Sequence, residues 1–403
     1  MIDFDLLEEQ KSSCKASIKV IGVGGAGSNT VNSMIENGMN NGVEFIVANT
    51  DAQALALSKA KQKIQLGIKS TKGLGTGANP EIGRRAAEED LDKVLEVIGD
   101  ADIVFIAAGM GGGTGSGASP VIARALRERN ILTIAVVTKP FAFEGRRRCR
   151  VALEAAQALR AAVDTLLVVP NQKLLEVSKV GMSMIDAFAM VNDVLDQSVR
   201  GITNIITKPG HINVDFADLS AIMRDMGLAV MGTGKASGEN RARTATLSAI
   251  SSPLLENMSI RGAKGVLLNI TGGKNLGLHE INEAATVIYE QADEDANIIL
   301  GSVIDDSLED EIIITIVATG FNDRNDLLVA TEQVQVQPTP IAAKAAVIAK
   351  ETIAVVPDAE KVVVNEAPAP KPIVTNSELV DANDLDVPTF LRNKLQPESE
   401  SNL

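Results

Sequence analysis

Short apolar segments alternate with longer segments of helical periodicity along the first two fifths of the chain. The apolar segments are rich in β-branched residues, are apolar on both faces, and have Gly, Pro, Asn or Asp close behind them. We expect strands at 17–23, 44–50, 102–108, 132–138 and 165–169. We expect helices between them, at 28–37, 80–98, 116–129 and 145–162. This alternation predicts an α/β fold with a Rossmann-type parallel sheet covered on both faces.

A second block of alternating segments follows a long helical stretch at 183–205. Its strand candidates are 229–232, 265–270, 298–304 and 311–319, and its helix candidates lie near 239–250 and 280–293. The block predicts a second, smaller α/β domain. We therefore expect a first domain at 17–182, a central helix at 183–207 and a loop with the C-terminal domain at 208–320.

The chain changes character after Gly320. All 33 glycines lie at or before that residue, whereas eight of the 14 prolines follow it. Residues 321–383 show no sustained helical or strand period, which favours a disordered linker, and residues 1–16 are expected to be a disordered N-terminal extension. An apolar cluster flanked by acidic residues returns within 384–403, and such a cluster on a disordered tether is either a peptide that binds a partner's groove or a tail without a partner.

Composition excludes several classes of protein. Aromatic residues make up only 2% of the chain and there is no Trp, which argues against stacking on single-stranded nucleic acid. The net charge of −14 disfavours binding to phosphate backbones and to membrane surfaces. Two His and two Cys cannot supply a usual zinc site or a disulfide framework. We see no signal peptide and no apolar run long enough to span a membrane, so we expect a cytoplasmic protein.

A glycine-rich loop follows the first predicted strand. Gly22, Gly24 and Gly27 satisfy the G-x-G-x-x-G pattern before a helix, where backbone N–H groups and the helix dipole bind phosphate. Taken alone, this pattern leaves a dinucleotide fold and other phosphate loops or tight turns open.

A second glycine-rich loop, at 109–117, follows the third predicted strand. Five of the seven residues from Gly111 to Gly117 are glycine, and Thr114 and Ser116 add hydroxyl groups. Such a loop forms a concave set of backbone amides. Two loops at the ends of two parallel strands suit a chain of phosphates longer than a dinucleotide's. By contrast, residues 232–237 lack two positions of the Walker P-loop pattern and are not expected to bind phosphate.

The sequence from residue 18 to about 320 resembles FtsZ, the family of bacterial tubulin homologues that act in cell division. The run 111–117 is similar to the tubulin signature loop, and further matches lie at 49–51, 73–80, 143–145, 169–171 and 213–218. The segment 386–392 is similar to the family's C-terminal peptide. The resemblance implies a tubulin-like fold and a GTPase that polymerises head to tail, with GTP or GDP and Mg²⁺ as cofactors.

The resemblance also implies where GTP binds. The phosphates belong on the two glycine loops and on 77–79, the ribose near Glu144 and Arg148, and the guanine among Asn171, Phe188, Asn192 and Asp193. The full set of implied contacts is Gly24, Gly25, Ala26, Gly27, Ser28, Asn29, Asp51, Gly77, Ala78, Asn79, Gly111, Gly112, Gly113, Thr114, Gly115, Glu144, Arg148, Asn171, Phe188, Asn192 and Asp193. Asp193 could accept the N1–H and N2–H of guanine, which adenine lacks, and this favours GTP over ATP. Phe188 could stack on the purine or pack in the core.

Three residues are candidates for catalysis on a neighbouring subunit. From local pattern, Asp215 and Asp218 read as a cap and a first-turn acid of a helix. The resemblance implies that Asp215 and Asp218 polarise the attacking water and arrange Mg²⁺ at the next subunit's nucleotide, with Asn213 positioning them. No residue stands out as a certain direct metal ligand.

The partners follow from the same resemblance. We expect a head-to-tail filament of this chain that forms a ring at the division site beneath the inner membrane. Membrane-tethering and regulatory division proteins would bind the C-terminal peptide through Asp386, Val387, Pro388, Phe390, Leu391 and Arg392. Neither nucleic acid nor direct membrane insertion is expected.

Two other functions remain possible at this stage. An NAD-linked oxidoreductase would use Gly22, Gly24 and Gly27 with Glu44 or Asp51 on the ribose, but it leaves the loop at 111–117 without a role. A nucleotide-binding scaffold that does not hydrolyse would explain both loops and leave Asp215 and Asp218 as caps.

Overall fold

The computed structural model describes residues 16–39, 42–178, 181–208, 210, 212–255 and 260–321. Most of the predicted N-terminal extension, the linker from residue 322 onward and the C-terminal peptide lie outside the described residues. The predictions for Asp386, Val387, Pro388, Phe390, Leu391 and Arg392 therefore concern a part of the chain that the structure does not describe.

Strands and helices alternate as the apolar pattern predicts. The strands are β1 (Ile18–Val23), β2 (Val43–Asn49), β3 (Gln62–Gln65), β4 (Ile103–Gly109), β5 (Leu132–Lys139), β6 (Thr165–Pro170), β7 (Gly227–Ser237), β8 (Gly265–Gly272), β9 (Asn297–Ile304) and β10 (Glu311–Thr319). The α-helices are α1 (Gly24–Glu36), α2 (Ala52–Leu57), α3 (Ile68–Thr71), α4 (Pro80–Glu89), α5 (Leu91–Ile98), α6 (Thr114–Glu128), α7 (Arg146–Arg160), α8 (Asn171–Val177), α9 (Met184–Thr207), α10 (Phe216–Met223), α11 (Arg241–Ile250) and α12 (Leu278–Gln291). Short 3₁₀ turns lie at Ala142–Glu144, Pro253–Leu255 and Asp306–Leu308.

All ten strands belong to one sheet in the order β3-β2-β1-β4-β5-β6-β7-β10-β8-β9. Pairing is parallel from β3 to β7, and β10 runs antiparallel to both β7 and β8. The parallel prediction is confirmed for the first half of the chain. Strands β7 to β10 extend the same sheet, since β7 pairs with β6 over three residues. Among them, β10 is the antiparallel strand.

The core lies on both faces of this sheet. One apolar cluster joins β1, β4 and β5 to the long helix α9, with Val199 and Ile202 almost fully buried. A second cluster packs α4 to α7 on the opposite face, and a third lies under α11 and α12. Burial of each large aliphatic side chain contributes about 1.5–3 kcal/mol, so α9 is fixed firmly along the sheet.

The predicted helix at 80–98 is wrong in one respect, because it breaks into α4 and α5 at Asp90. The Asp90 carboxylate is almost fully buried and accepts a hydrogen bond from Gly67 N at 2.7 Å. Because the Asp90 side chain binds the backbone of another segment, this residue is held out of helical geometry. Such a long-range contact leaves no trace in the helical periodicity of the sequence. The motif at 232–237 lies within strand β7, consistent with the rejection of a P-loop there.

Candidate nucleotide-binding site

The two glycine loops lie side by side because the strands that precede them are neighbours. β1 pairs with β4 in parallel, so both strands end at the same edge of the sheet. Gly24 has φ +72°, and a Cβ on it would lie 2.9 Å from Gly115 N in the second loop. A Cβ on Gly113 would lie 2.1 Å from Thr76 Oγ1 and 2.8 Å from Asn79 N. Glycine therefore lets three backbone segments approach one another here.

A cavity of about 350 Å³ lies over these loops. Twelve of the residues implied as GTP contacts line it: Gly25, Ala26, Asn29, Gly112, Gly113, Thr114, Gly115, Glu144, Arg148, Asn171, Phe188 and Asn192. The structure thus gathers residues from four strand ends and from α9 around one space. A Cβ on Gly25 or on Gly112 would meet no atom within 4 Å, so these two backbones face open space.

The remaining phosphate-side residues do not line the cavity. Ser28 is buried in α1, and its hydroxyl donates to Gly24 O at 2.8 Å. A Cβ on Gly27 would lie 2.2 Å from Ala107 O, so this position has no room for a side chain. Asp51 caps α2 by accepting from Gln53 N and Ala54 N. Gly24, Gly77 and Gly111 adopt positive φ, as does Ala78. Asn79 caps α4 by accepting from Glu81 N at 3.0 Å. The residues of this paragraph therefore fix the shape of the loops, and other residues of the same loops line the cavity.

Several cavity residues were missed by sequence reasoning. Thr30, Thr76, Met110, Thr138, Pro140, Val191 and Leu195 also line the cavity. Thr114 Oγ1 lies 2.7 Å from Thr50 Oγ1 and 3.5 Å from Thr76 Oγ1, and this hydroxyl cluster links the loop at 73–80 to the second glycine loop. Thr76 lies within the family match at 73–80 and could have been found there, whereas Thr30 and Thr138 reach the cavity only through the fold.

Glu144 and Arg148 form an ion pair at the cavity wall. Arg148 donates to Glu144 Oε2 at 2.5 Å, and Glu144 Oε1 accepts from Phe141 N at 2.9 Å. The neighbouring Arg146 and Arg147 are exposed at the start of α7. The charges of Glu144 and Arg148 cancel at the wall, and Arg146 and Arg147 add positive charge at the adjoining start of α7 without lining the cavity.

The aromatic side of the cavity is built on α9 and on the segment after β5. The Phe188 ring is 39% exposed and meets Phe141 edge-to-face at 5.5 Å between centroids. Asn171, which begins α8, is buried at 4% exposure, and its Oδ1 has no hydrogen-bond partner. Both residues line the same cavity, and a partly exposed ring together with a buried, unpartnered polar atom suits an aromatic ligand that carries hydrogen-bond donors.

Asn192 and Asp193 lie on different sides of α9. Asn192 shares the face of Phe188 four residues before it, lines the cavity, and accepts from Thr30 Oγ1 at 3.2 Å. Asp193 is exposed and does not line the cavity, because successive helix residues are about 100° apart. Partial burial and the neighbouring Asp196 raise the pKa of Asp193, and Asn37 partly offsets them. The helix therefore presents Asn192 to the cavity and leaves Asp193 outside it, so of the two residues expected around the guanine only Asn192 lines this space.

The acidic loop lies outside this cavity. Asp215 caps α10 by accepting from Asp218 N at 2.7 Å, and Asn213 Oδ1 accepts from Gly210 N at 2.8 Å. All three side chains are on exposed residues, and none lines the cavity. Capping is thus confirmed for Asp215, and both carboxylates remain open to solvent.

Comparison with known proteins decides the family. Residues 17–179 match the GTPase domain of the tubulin/FtsZ family, and residues 227–322 match the C-terminal domain of the FtsZ family. The chain is similar to an empty FtsZ dimer from M. jannaschii at 42% identity, with a TM-score of 0.74, covering 79% of this chain and 92% of that one. The chain belongs to the FtsZ family. Its tubulin-like fold and its membership of a GTP-binding GTPase family follow, and these findings favour the GTPase over an NAD-linked oxidoreductase.

More distant structures share the fold. CetZ2 from Haloferax volcanii, solved as a GTPγS-bound protofilament, is 20% identical with a TM-score of 0.68 and covers 83% of this chain and 100% of that one. CetZ1 from the same organism, a GDP-bound monomer, is 24% identical with a TM-score of 0.67 and covers 76% of this chain and 95% of that one.

The geometry of the cavity suits a nucleotide. Open-faced glycine backbones at one end suit phosphates, and the unpartnered Asn171 Oδ1 beside the Phe188 ring suits a base with N–H donors. Within the described ranges, no group of three or more His, Cys, Asp or Glu side chains could hold a metal ion. The helices of this part of the chain also include none with the length and hydropathy that a membrane span requires.

Proposed function

We propose that this chain binds GTP in the cavity over the glycine loops and hydrolyses it only where a second copy of the chain docks. The phosphates would lie on the backbone amides of 25–29 and 111–115, with the γ-phosphate toward 77–79. Glu144 and Arg148 would hold the ribose, and Phe188 would stack on the guanine. Asn171 and Asn192 would read the base edge.

The observation that carries the proposal is the acid content of the cavity. Among the described residues that line it, Glu144 is the only acid, and it is already paired with Arg148 and with Phe141 N. Among its described lining residues, the cavity of a single chain therefore offers no free carboxylate to polarise an attacking water. Phosphoryl transfer depends on positioning and electrostatics, so a carboxylate supplied from outside completes the site.

The exposed loop at 213–218 supplies such carboxylates. Asp215 and Asp218 would polarise the attacking water on the next subunit's nucleotide, and Asn213 would order the loop through its bond to Gly210 N. Carboxylate oxygens are also the ligands that Mg²⁺ prefers, so Asp215 and Asp218 with the GTP phosphates are the groups that would hold it. When bound, Mg²⁺ would neutralise charge that develops on the phosphates.

A contact between unlike faces generates an open filament, because it does not close on itself. The M. jannaschii FtsZ described above was solved as a dimer, and the CetZ2 structure is a protofilament with GTPγS bound. We propose the same type of assembly here, with turnover coupled to it and with the filament forming the division ring at the septum, on the cytoplasmic side of the inner membrane.

The segment 386–392 would attach this filament to the membrane. Val387, Phe390 and Leu391 would anchor in a groove of a membrane-tethering or regulatory division protein, with Asp386, Pro388 and Arg392 beside them. The net charge of −14 disfavours a direct contact with anionic lipid.

The proposal is tested by light scattering and phosphate release with GTP, GDP and ATP. We expect GTP alone to produce both polymers and turnover, and turnover to rise more steeply than the protein concentration. Equal activity with ATP would refute the assignment of the base. Phosphate release that stays proportional to protein concentration throughout would refute the shared site, and binding without phosphate release would favour the scaffold.

A further inference from the structure

The chain reaches the acidic loop at 213–218 along the edge of the sheet. β9 is the last strand in the sheet order, and among the described strands it pairs with β8 alone. On its other side, Ser302 of β9 forms an isolated antiparallel bridge with Ile212. The backbone groups of an edge strand are open to pairing with another segment of chain. Here that segment is the one that leads directly into the acidic loop.

Ser302 holds Ile212 through two hydrogen bonds, and one of them uses its side chain. Ser302 N donates to Ile212 O at 3.0 Å. Ile212 N donates to the hydroxyl oxygen of Ser302, Oγ, also at 3.0 Å. In a regular antiparallel pair the second bond would go to a backbone carbonyl, so the hydroxyl replaces that acceptor. Ser302 is only 1% exposed, and the packing around it therefore fixes where the hydroxyl lies.

Gly210 brings the same segment close to Ser302 at a second point. A Cβ on Gly210 would lie 1.7 Å from Ser302 O, so a side chain at this position would push the segment away from β9. Gly210 N donates to Asn213 Oδ1 at 2.8 Å, which links this contact to the acidic loop itself. Val214 and Val303 are buried in one apolar cluster, so the loop is also anchored beyond Asn213.

The position of this segment matters for the carboxylates that follow it. Asp215 lies three residues after Ile212 and caps α10, and Asp218 lies in the first turn of that helix. Burial of Leu219 and Ile222 holds α10 from its other end. Phosphoryl transfer depends on positioning, and misplacement of a group by about 1 Å can lower a rate about 100-fold.

We propose, on the basis of the shared site proposed above, that Ser302 is a positioning residue for GTP hydrolysis on the neighbouring subunit. Its hydroxyl holds Ile212, and Ile212 fixes where Asn213 and Asp215 are presented. Ser302 does not line the nucleotide cavity of its own chain. Loss of the hydroxyl should therefore impair only the acidic loop that a subunit donates and leave its nucleotide cavity intact.

Three variants of the full chain and a matched control test this role. Ser302→Ala removes the hydroxyl, and Ser302→Thr keeps one. Gly210→Ala keeps Ser302 but places a Cβ against its carbonyl oxygen. The control is Ser119→Ala, at a serine that is fully buried in α6 and whose hydroxyl has no hydrogen-bond partner among the described residues. Phosphate release from GTP is normalised to sedimented polymer, and GDP affinity is measured separately.

We expect Ser302→Ala to lower turnover about tenfold through displacement of the loop, with GDP affinity unchanged. Gly210→Ala should give a loss of the same kind. Ser302→Thr should stay close to the unmodified protein, because it retains the acceptor for Ile212 N, and Ser119→Ala should change neither turnover nor GDP affinity.

Mixing experiments show which side of the interface is impaired. Gly112→Glu places a carboxylate over the phosphate loops and leaves the acidic loop unchanged. A mixture of Ser302→Ala with Gly112→Glu should release more phosphate than the sum of the two, because the intact cavity of one meets the intact loop of the other. A mixture of Ser302→Ala with Asp218→Ala should not exceed its sum, since both loops are impaired. If Ser302→Ala forms no polymer alone, these two mixtures decide.

A general folding defect would lower GDP affinity and would prevent rescue by Gly112→Glu, and either result would overturn the role of Ser302. Full turnover of Ser302→Ala or Gly210→Ala would overturn it too, as would a loss in Ser302→Thr as large as that in Ser302→Ala. The reference mixture of Asp218→Ala with Gly112→Glu separates the two levels of the account. Its rescue without a defect in Ser302→Ala would refute only the positioning role, whereas its failure would refute the shared site and the positioning role together.

Discussion

Guanine recognition should depend on Asn192 and not on its neighbour Asp193. Asn192 lines the nucleotide cavity on the face of α9 that carries Phe188, and its amide nitrogen has no acceptor among the described residues. Asp193 is exposed and outside the cavity. The sequence alone favours the opposite assignment, since a carboxylate is the better acceptor for guanine N–H groups. The two residues therefore give a sharp comparison.

The expected magnitude follows from the contacts. Asn192→Ala removes the hydrogen bonds of a half-buried amide to the base and leaves Thr30 Oγ1 with Ala26 O, 3.0 Å away, as its remaining partner. We expect a loss of about 1–2 kcal/mol, or about 5–30-fold in GTP affinity. Asp193→Ala should change GTP affinity by less than about threefold, because an exposed charge outside the site contributes little.

Fluorescence competition against a labelled GTP analogue measures both variants, with ATP as the second competitor. Thermal unfolding without nucleotide controls for folding. Since burial and Asp196 raise the pKa of Asp193, the charged form is disfavoured in the fold, and Asp193→Ala should leave the melting temperature unchanged or slightly higher. A large affinity loss for Asp193→Ala with little change for Asn192→Ala would refute the placement of the base.

Three further predictions rest on separate contacts. Gly113→Ala should lower the free energy of unfolding by about 1–3 kcal/mol, because its Cβ would overlap Thr76 Oγ1 and approach Asn79 N. Gly112→Ala should leave the free energy of unfolding unchanged, because its Cβ would meet no atom. Denaturant melts measure both, and equal stability of the two variants would contradict the packing. The Ser307 hydroxyl and then Lys208 lower the pKa of Asp305 from 3.8 to about 2. Asp305→Asn should therefore lower the free energy of unfolding by about 1–2 kcal/mol above pH 5, and this difference should shrink as the pH falls toward 3. Melts across this pH range would measure it. A destabilisation by Asp305→Asn that grew on acidification would contradict this assignment. Removal of 384–403 should leave GTP turnover intact and abolish recruitment to adaptor-bearing vesicles, and a loss of turnover in solution would contradict the tether.

The strands and the phosphate loops could be predicted because their signals are local. A strand buried on both faces reads as a short apolar run, and β1, β4, β5 and β6 match their predicted ranges within one residue at each end. The glycine-rich runs predict close contacts between backbone segments, and Gly24 and Gly113 lie at such contacts. Both signals depend only on neighbours in the chain.

Features that depend on distant contacts could not be read from the sequence. Asp90 ends α4 because it binds Gly67 N across 23 residues. Thr30 and Thr138 reach the nucleotide cavity only after β1 and β5 take their places in the sheet. The side of α9 on which Asp193 lies depends on how that helix is rotated against the core, and packing of Val191 and Leu195 decides it.

The claim that the active site is shared between two copies of the chain is tested most directly by mixing two inactive variants. Asp218→Ala removes an exposed carboxylate and should keep its nucleotide cavity. Gly112→Glu should keep the acidic loop and the fold, since its Cβ meets open space, but it places a negative charge against the phosphates. Phosphate release is measured for each variant and for the mixture at one total concentration. Our account predicts that the mixture exceeds the sum of the two variants, because one interface joins an intact cavity to an intact Asp218. Turnover of the mixture equal to that sum, although both variants join filaments of the unmodified protein, would mean that the site is complete within one chain.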